Sequence, residues 1–154
     1  MVLEISGSTE RKRQLVAEAA YFFKDILMPR MKTLQIDIHL SPHYESKTAS
    51  SGDCIWEDTN RCSREFTVNL DSHDDDWMIQ TLAHEMVHVK QWARGEMQDI
   101  YDHDDGSPTK TRWKSQFINI KRVSYTDLPW EKEASRIEKT LYNEWLEHLK
   151  TKTI

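Results

Sequence analysis

The feature that most constrains the fold is a long apolar-periodic stretch from Trp77 to Ala93. Its apolar residues recur at three- and four-residue spacing, which predicts an amphipathic helix. The acidic cluster Asp71–Asp76 precedes it, where carboxylates complement the positive end of a helix dipole. A calcium site is the alternative for this cluster, but the cluster lacks the glycine and the terminal glutamate of an EF-hand loop. The stretch therefore predicts a long central helix that begins beside the acidic cluster.

The sequence patterns of further segments predict two more helices and three strands. Helical spacing of apolar residues predicts a helix at Ser8–Arg30, with Ser8 as its cap, and another at Pro129–Leu149. Alternation predicts a strand at Leu34–Leu40, and Cys54–Glu57 and Glu65–Leu70 have the composition of two strands joined by a turn.

The segments between these elements are less regular. Ser41–Ser51 is polar and predicts a loop, Gly95–Pro108 predicts mostly loop, and Arg112–Tyr125 predicts one or two short strands. The order of elements predicts an α+β fold with a small, mostly antiparallel sheet packed on an N-terminal helix, the central helix and a C-terminal helix. A length of 154 residues favours one domain over residues 1–154.

Composition and charge argue against several classes of protein. Six Trp, five Tyr and four Phe argue against disorder, and a net charge of -5 argues against a dedicated nucleic-acid binder. No run of eighteen apolar residues predicts a membrane span, and Met1–Arg13 has no apolar region typical of a cleaved signal. We therefore expect a cytoplasmic protein, in the host cytoplasm if it is viral, with no membrane partner.

The central helix contains the pentapeptide His84-Glu85-Met86-Val87-His88. Residues four apart on a helix lie one turn above each other on the same face. Two imidazoles so placed can bind one Zn²⁺ at ~2.0–2.1 Å, and a carboxylate after the first of them can reach the water of that ion. The motif predicts a zinc site, and the alternative is a pair of ordinary surface or core histidines.

A catalytic zinc site needs a third protein ligand and an open position for water. Candidates downstream are His103, Asp104 or Asp105 in the loop and Glu131 or Glu133 at the start of the last helix. A carboxylate in the first turn, such as Glu131, is also stabilised by the helix dipole. The residues alone leave this choice open.

Two segments resemble a known superfamily. Residues 81–91, Thr-Leu-Ala-His-Glu-Met-Val-His-Val-Lys-Gln, resemble the active-site helix of zincin (HExxH) metallopeptidases. Residues 125–134, Tyr-Thr-Asp-Leu-Pro-Trp-Glu-Lys-Glu-Ala, are similar to the second segment of small gluzincin-like metallopeptidases common in phage genomes. The resemblance covers about Cys54 to Ile137 and departs at Ser135, where such families often have Asp.

The resemblance implies a zinc-dependent metallopeptidase. In gluzincins the third ligand is the first residue of a Glu-x-x-Ala type motif on a later helix, so Zn²⁺ is expected on His84, His88 and Glu131, with water in the fourth position. Glu85 is then the general base that takes the proton of the water. The strand Glu65–Leu70 is expected to be an edge strand that binds a protein or peptide substrate by β-augmentation.

Tyr125 is a further candidate catalytic residue. It lies just before the helix that would carry the third ligand, so we expect its hydroxyl to donate a hydrogen bond to the oxyanion. The alternative is a half-buried tyrosine in a strand.

Two other functions fit parts of the pattern. The SprT-like branch cleaves protein on DNA and takes a His as third ligand, which His103 could supply. A basic run interleaved with Trp113 and Phe117 fits it, although a solvated strand pair explains that run too; its members are Lys110, Arg112, Lys114, Lys121 and Arg122. A non-catalytic zinc-binding interaction protein of zincin fold is the other alternative, and the intact Glu85 argues against it.

The two cysteines, Cys54 and Cys62, are too few for a disulfide framework. In a reducing cytoplasm we expect two free thiols. A cross-strand disulfide and a second zinc site with His39 or His43 are the alternatives.

Overall fold

A four-stranded sheet organises the larger part of this computed structural model, which describes residues 1–100 and 110–153. Its strands are Val2–Ser6 (β1), Gln35–Ser41 (β2), Gly52–Trp56 (β3) and Glu65–Asp71 (β4). They lie in the order β1-β2-β4-β3. The β1–β2 and β2–β4 pairs are parallel, and β3 pairs with β4 in antiparallel orientation.

A smaller antiparallel sheet follows the long central helix. Its strands are Met97–Ile100 (β5), Lys110–Trp113 (β6) and Gln116–Ile118 (β7). Short 3₁₀ turns at Ile120–Arg122 and Tyr125–Asp127 connect it to the last helix.

The described residues also form four α-helices, and together with the two sheets they confirm the predicted α+β class. The helices are Glu10–Leu27 (α1), Tyr44–Thr48 (α2), Asp75–Ala93 (α3) and Pro129–Lys152 (α4). The acidic cluster caps α3 as expected, since Asp74 accepts a hydrogen bond from the backbone N–H of Trp77 at 2.8 Å.

The main core lies between one face of the large sheet and the long helices. Alternate residues of β2 and β4, such as Ile36, Ile38 and Val68, are fully buried, whereas Gln35 and His39 on the other face are exposed. Because α3 packs between this sheet and α4, both of its long sides are buried. That position brings the middle of α3 against the first turns of α4.

The prediction of a mostly antiparallel sheet is wrong for the sheet that packs on these helices. The strand β1 was not predicted, and α1 is the crossover that connects β1 to β2 in parallel. The prediction that Glu65–Leu70 is an edge strand is also wrong, because β4 has β2 on one side and β3 on the other. The edge strand beside α3 is β3.

Two local predictions also need correction. Thr9, not Ser8, caps α1: its hydroxyl oxygen accepts from the backbone N–H of Lys12 at 3.2 Å, while Ser8 has a φ of 55°. The predicted loop Ser41–Ser51 contains α2. The segment Gly95–Pro108, predicted as mostly loop, includes the short strand β5, which does not contradict that prediction. Residues 101–109 of that second segment lie outside the described residues.

Among the helices in the described ranges, none combines the length and the apolar character that crossing a membrane would require.

Candidate metal centre

The helical geometry of α3 brings the two histidines of the pentapeptide together. The ring centroids of His84 and His88 are 4.8 Å apart, and their Nε2 atoms approach to 3.2 Å. His88 is buried and His84 is partly buried. Each imidazole therefore directs one nitrogen to a common point on the side of α3 that faces α4.

Glu131 reaches the same point from the first turn of α4. Its Oε2 lies 3.1 Å from His84 Nε2, and its Oε1 lies 3.2 Å from His88 Nε2. The first turn is held in place by Pro129 at the helix start and by Trp130, which is buried against Trp113 at 6.1 Å between ring centroids.

A second layer of side chains orients the two imidazoles. His84 Nδ1 lies 3.3 Å from Glu138 Oε2, and His88 Nδ1 lies 2.7 Å from Gln91 Oε1. Both partner atoms are acceptors, so each neutral imidazole carries its proton on Nδ1 and turns the lone pair of Nε2 toward Glu131. Gln91 is fully buried and also donates to the carbonyl of Trp130 at 3.0 Å, which ties α3 to the start of α4.

Sequence reasoning did not identify Glu138 and Gln91 as part of the site. Glu138 lies seven residues after Glu131, and this spacing returns to nearly the same face of a helix. Gln91 follows His88 by three residues and therefore neighbours it on α3. Both spacings are visible in the sequence, but they point to this site only once Glu131 is known to lie beside the two histidines.

The resulting arrangement fits a metal ion. Two imidazole nitrogens and a carboxylate lie 3.1–3.2 Å from one another. Four ligands at ~2.0–2.1 Å in tetrahedral geometry are about 3.3–3.4 Å apart, so little adjustment is needed. If both imidazoles are neutral, a cation would satisfy the two nitrogen lone pairs and the carboxylate together. His84, His88 and Glu131 are the group of described residues that could hold one.

The electrostatics of the group favour positive charge at this point. Burial acts to lower the pKa of His84, but the carboxylates of Glu131 and Glu138 outweigh it and raise that pKa to about 10. Burial acts to raise the pKa of Glu131, and contact with His84 and His88 holds it well below its usual range. In a protein without metal, protons shared with the imidazoles therefore supply the charge that a cation would otherwise supply.

Glu85 faces the same space as the candidate ligands. It lines a cavity of about 280 Å³ together with His84, Glu131, Tyr125 and Gly52 at the start of β3. Burial raises the pKa of Glu85 to about 7, although the neighbouring imidazoles oppose the increase. A carboxyl group with a pKa near neutrality is suited to accept and return a proton.

Tyr125 lies at the mouth of this cavity, in a 3₁₀ turn rather than a strand. It lies close enough to Glu131 for each group to shift the pKa of the other, and the residue is 69% exposed. Burial of the hydroxyl and the charge of Glu131 raise its pKa, so the phenol keeps its proton.

Of the other candidate ligands, only Glu133 lies among the described residues. Glu133 does not join the group, because its carboxylate contacts Lys90 at 3.4 Å and Lys114 at 3.2 Å. His103, Asp104 and Asp105 lie outside the described residues.

The two cysteines do not take part in the site. Both are free, and burial raises the pKa of the Cys54 thiol well above its usual value. Among the described residues they form no potential metal-binding group with His39 or His43.

Comparison of the chain with family models, curated proteins and solved structures finds no match in any of the three.

Proposed function

We propose that the protein is a zinc-dependent metallopeptidase of gluzincin type within the zincin superfamily. The observation that carries the proposal is the convergence of His84, His88 and Glu131 in one potential metal-binding group, with Glu85 lining the same cavity as His84 and Glu131. Two imidazoles, one carboxylate and an open position are the ligand set of catalytic zinc sites in peptidases. A structural site has no need for the fourth residue, Glu85.

Bound zinc would supply Lewis acidity at the scissile carbonyl and make the attacking water more acidic. Glu85 takes the proton of that water and passes it to the leaving amine, so it acts first as general base and then as general acid. Glu138 and Gln91 hold the two imidazoles in the tautomer that binds metal. We further propose that Tyr125, which lines the same cavity, donates a hydrogen bond from its hydroxyl to the oxyanion.

The substrate we propose is a protein or peptide that pairs with β3. Glu57 N–H donates to Glu65 and Asp71 N–H to the carbonyl of Ser51, so the odd-numbered residues of this strand point their backbone groups at β4. The N–H and C=O groups of Cys54 and Trp56 then face the open edge. Gly52 has the same orientation, but its carbonyl already accepts the hydroxyl of Ser50 at 2.7 Å. Because Gly52 also lines the cavity of the metal centre, a peptide paired with this edge would pass Glu85.

The test separates metal binding from catalysis. Wild-type protein should contain one zinc per chain by elemental analysis and should cleave an unfolded protein such as casein. Glu85→Gln should keep the zinc and the fold but lose hydrolysis by about 10²–10⁴-fold, because an amide cannot accept the proton. Glu4→Gln, which removes an exposed carboxylate from the uncovered sheet face, is the matched control.

Equal cleavage by Glu85→Gln and wild type would show that the mechanism is wrong. Zinc binding by wild type without cleavage of any peptide in a broad library would support the non-catalytic interaction protein instead. Retention of zinc by His84→Ala/His88→Ala would contradict the proposed ligand set.

A further inference from the structure

A second cavity lies beyond the metal centre, at the far ends of β3 and α3. Its volume is about 270 Å³, and it is lined on its apolar side by Trp56, Trp92 and Met97. The two indole rings are 5.4 Å apart between centroids and are inclined by 45°. Both are only partly buried, so aromatic surface is exposed to the cavity.

The position of the cavity relates it to the metal centre. Trp92 follows His88 by four residues, so it lies on nearly the same face of α3, about 6 Å further along the helix. Trp56 lies four residues, or about 13 Å, along β3 from Gly52, which lines the cavity of the metal centre. A peptide paired with β3 and cleaved at Glu85 would therefore place a side chain at this cavity two to four residues from the scissile bond.

The polar side of the cavity is acidic. Asp58 lines it, and its Oδ2 accepts backbone N–H groups of Arg64 at 2.7 Å and Glu65 at 3.2 Å. Its Oδ1 is buried and has no hydrogen-bond partner among the described residues. Asp99 lines it as well, with Oδ1 accepting the hydroxyl of Thr111 at 2.6 Å.

Neither carboxylate forms an ion pair within the described ranges. Burial raises the pKa of Asp99. Burial also acts to raise the pKa of Asp58, but hydrogen bonds from the Arg64 backbone and from the side chains of Ser63 and Asn60 outweigh it and lower that pKa. Arg61 also lines the cavity, but its side chain is exposed and forms no ion pair with either aspartate. The cavity thus combines two indole rings with two carboxylates that no described cation neutralises.

We infer that this cavity is a specificity subsite for a lysine or arginine side chain of the substrate. The faces of indole rings attract a cation, and carboxylates hydrogen-bond to an ammonium or guanidinium group. An apolar side chain would instead remove the carboxylates from water without providing a partner. The inference rests on the proposed function, because the substrate reaches this cavity only if it pairs with the open edge of β3 and passes Glu85.

The experiment uses the zinc-loaded full chain and a set of peptides that share one cleavable sequence. Arginine is moved through five positions on each side of the scissile bond, and each peptide has a matched partner with citrulline, which has nearly the same shape but no charge. At one position, kcat/KM should be about tenfold higher for arginine than for citrulline. Lysine against norleucine at that position should give the same preference.

Substitutions in the cavity should lower or raise the ratio of kcat/KM for arginine to kcat/KM for citrulline, depending on the charge or ring that they remove. Asp99→Asn and Trp56→Leu should each reduce the arginine-to-citrulline ratio toward one, because each removes an attraction for the cation. Arg61→Gln should increase the ratio, since it removes a positive charge from the cavity lining. Glu4→Gln, which removes an exposed carboxylate remote from the cavity, should leave the ratio unchanged.

A binding measurement keeps the inference testable apart from catalysis. Calorimetry with Glu85→Gln should give about tenfold tighter binding of the best arginine peptide than of its citrulline partner. Equal kcat/KM for arginine and citrulline at every position, with peptides cleaved, would overturn the subsite and leave the peptidase intact. Absence of both cleavage and peptide binding would overturn the proposed function and the subsite together.

Discussion

Glu131 and Glu133 are two residues apart at the start of α4, yet their carboxylates have opposite surroundings. Glu131 meets two imidazoles, whereas Glu133 meets the ammonium groups of Lys90 and Lys114. The first carboxylate therefore belongs to the group that could hold a cation, and the second is already paired with two lysines. This contrast makes the pair a direct test of the ligand set.

We predict that Glu131→Ala weakens zinc binding by at least about 100-fold, because it removes one of three protein ligands. Glu133→Ala should stay within about tenfold of wild type, since Glu133 acts only through Gln91, which it contacts at 3.3 Å. Competition with a chromophoric chelator measures both affinities. If His103→Ala releases the zinc and Glu131→Ala retains it, the assigned third ligand is wrong, and protein bound to DNA becomes the first substrate to try.

At the scale of single residues, the sequence was sufficient to identify the pentapeptide and to limit the candidates for the third ligand to a few residues. Helical periodicity alone does not separate Glu131 from Glu133, because both flank the apolar stripe of α4. Which of the two carboxylates reaches the histidines depends on how the first turn of α4 packs against α3. Burial of Trp130 and the hydrogen bond from the amide of Gln91 to its carbonyl fix that packing. Such packing between distant segments has no periodic signature.

At the scale of elements, the strands also show that packing between distant segments is hard to predict from sequence. Alternation and composition located three of the four strands of the large sheet, but the order in which strands pair is a non-local property. Two strands close in sequence favour a hairpin, and β3 and β4 do form one. The unexpected partner of β4 is β2, which occupies its other side and makes β3 the open edge.

We predict that Cys54→Pro weakens peptide binding without unfolding the protein. The backbone N–H of Cys54 faces the open edge, so proline removes a donor for the substrate and none for β4. Relative to Cys54→Ala, which also lacks the thiol but keeps the N–H, KM should increase about fivefold to tenfold. Steady-state kinetics measures the change, and thermal unfolding of both variants checks the fold. An unchanged KM with an intact fold would mean that substrate does not pair with β3.

At the scale of the whole molecule, α3 and α4 pack against each other, and the candidate metal ligands lie on both helices. A cation bound there would join His88 on α3 to Glu131 on α4, which are 43 residues apart in the sequence. The unfolded chain has no formed site for the cation. Binding to the native state alone stabilises it by about 4 kcal/mol when free zinc exceeds its Kd by 1,000-fold.

We predict that a chelator lowers the Tm of the zinc-loaded protein by about 10 °C, since each kcal/mol corresponds to about 2–4 °C in a chain of this size. His84→Ala/His88→Ala should have a lower Tm from the start, because Glu131 then lies buried without its two partners. Its Tm should not respond to chelator, because the site that links α3 to α4 is gone. Differential scanning calorimetry with and without chelator measures both differences. An equal chelator effect on both proteins would show that the stabilising metal binds elsewhere, and no effect on either would show that zinc does not join these helices.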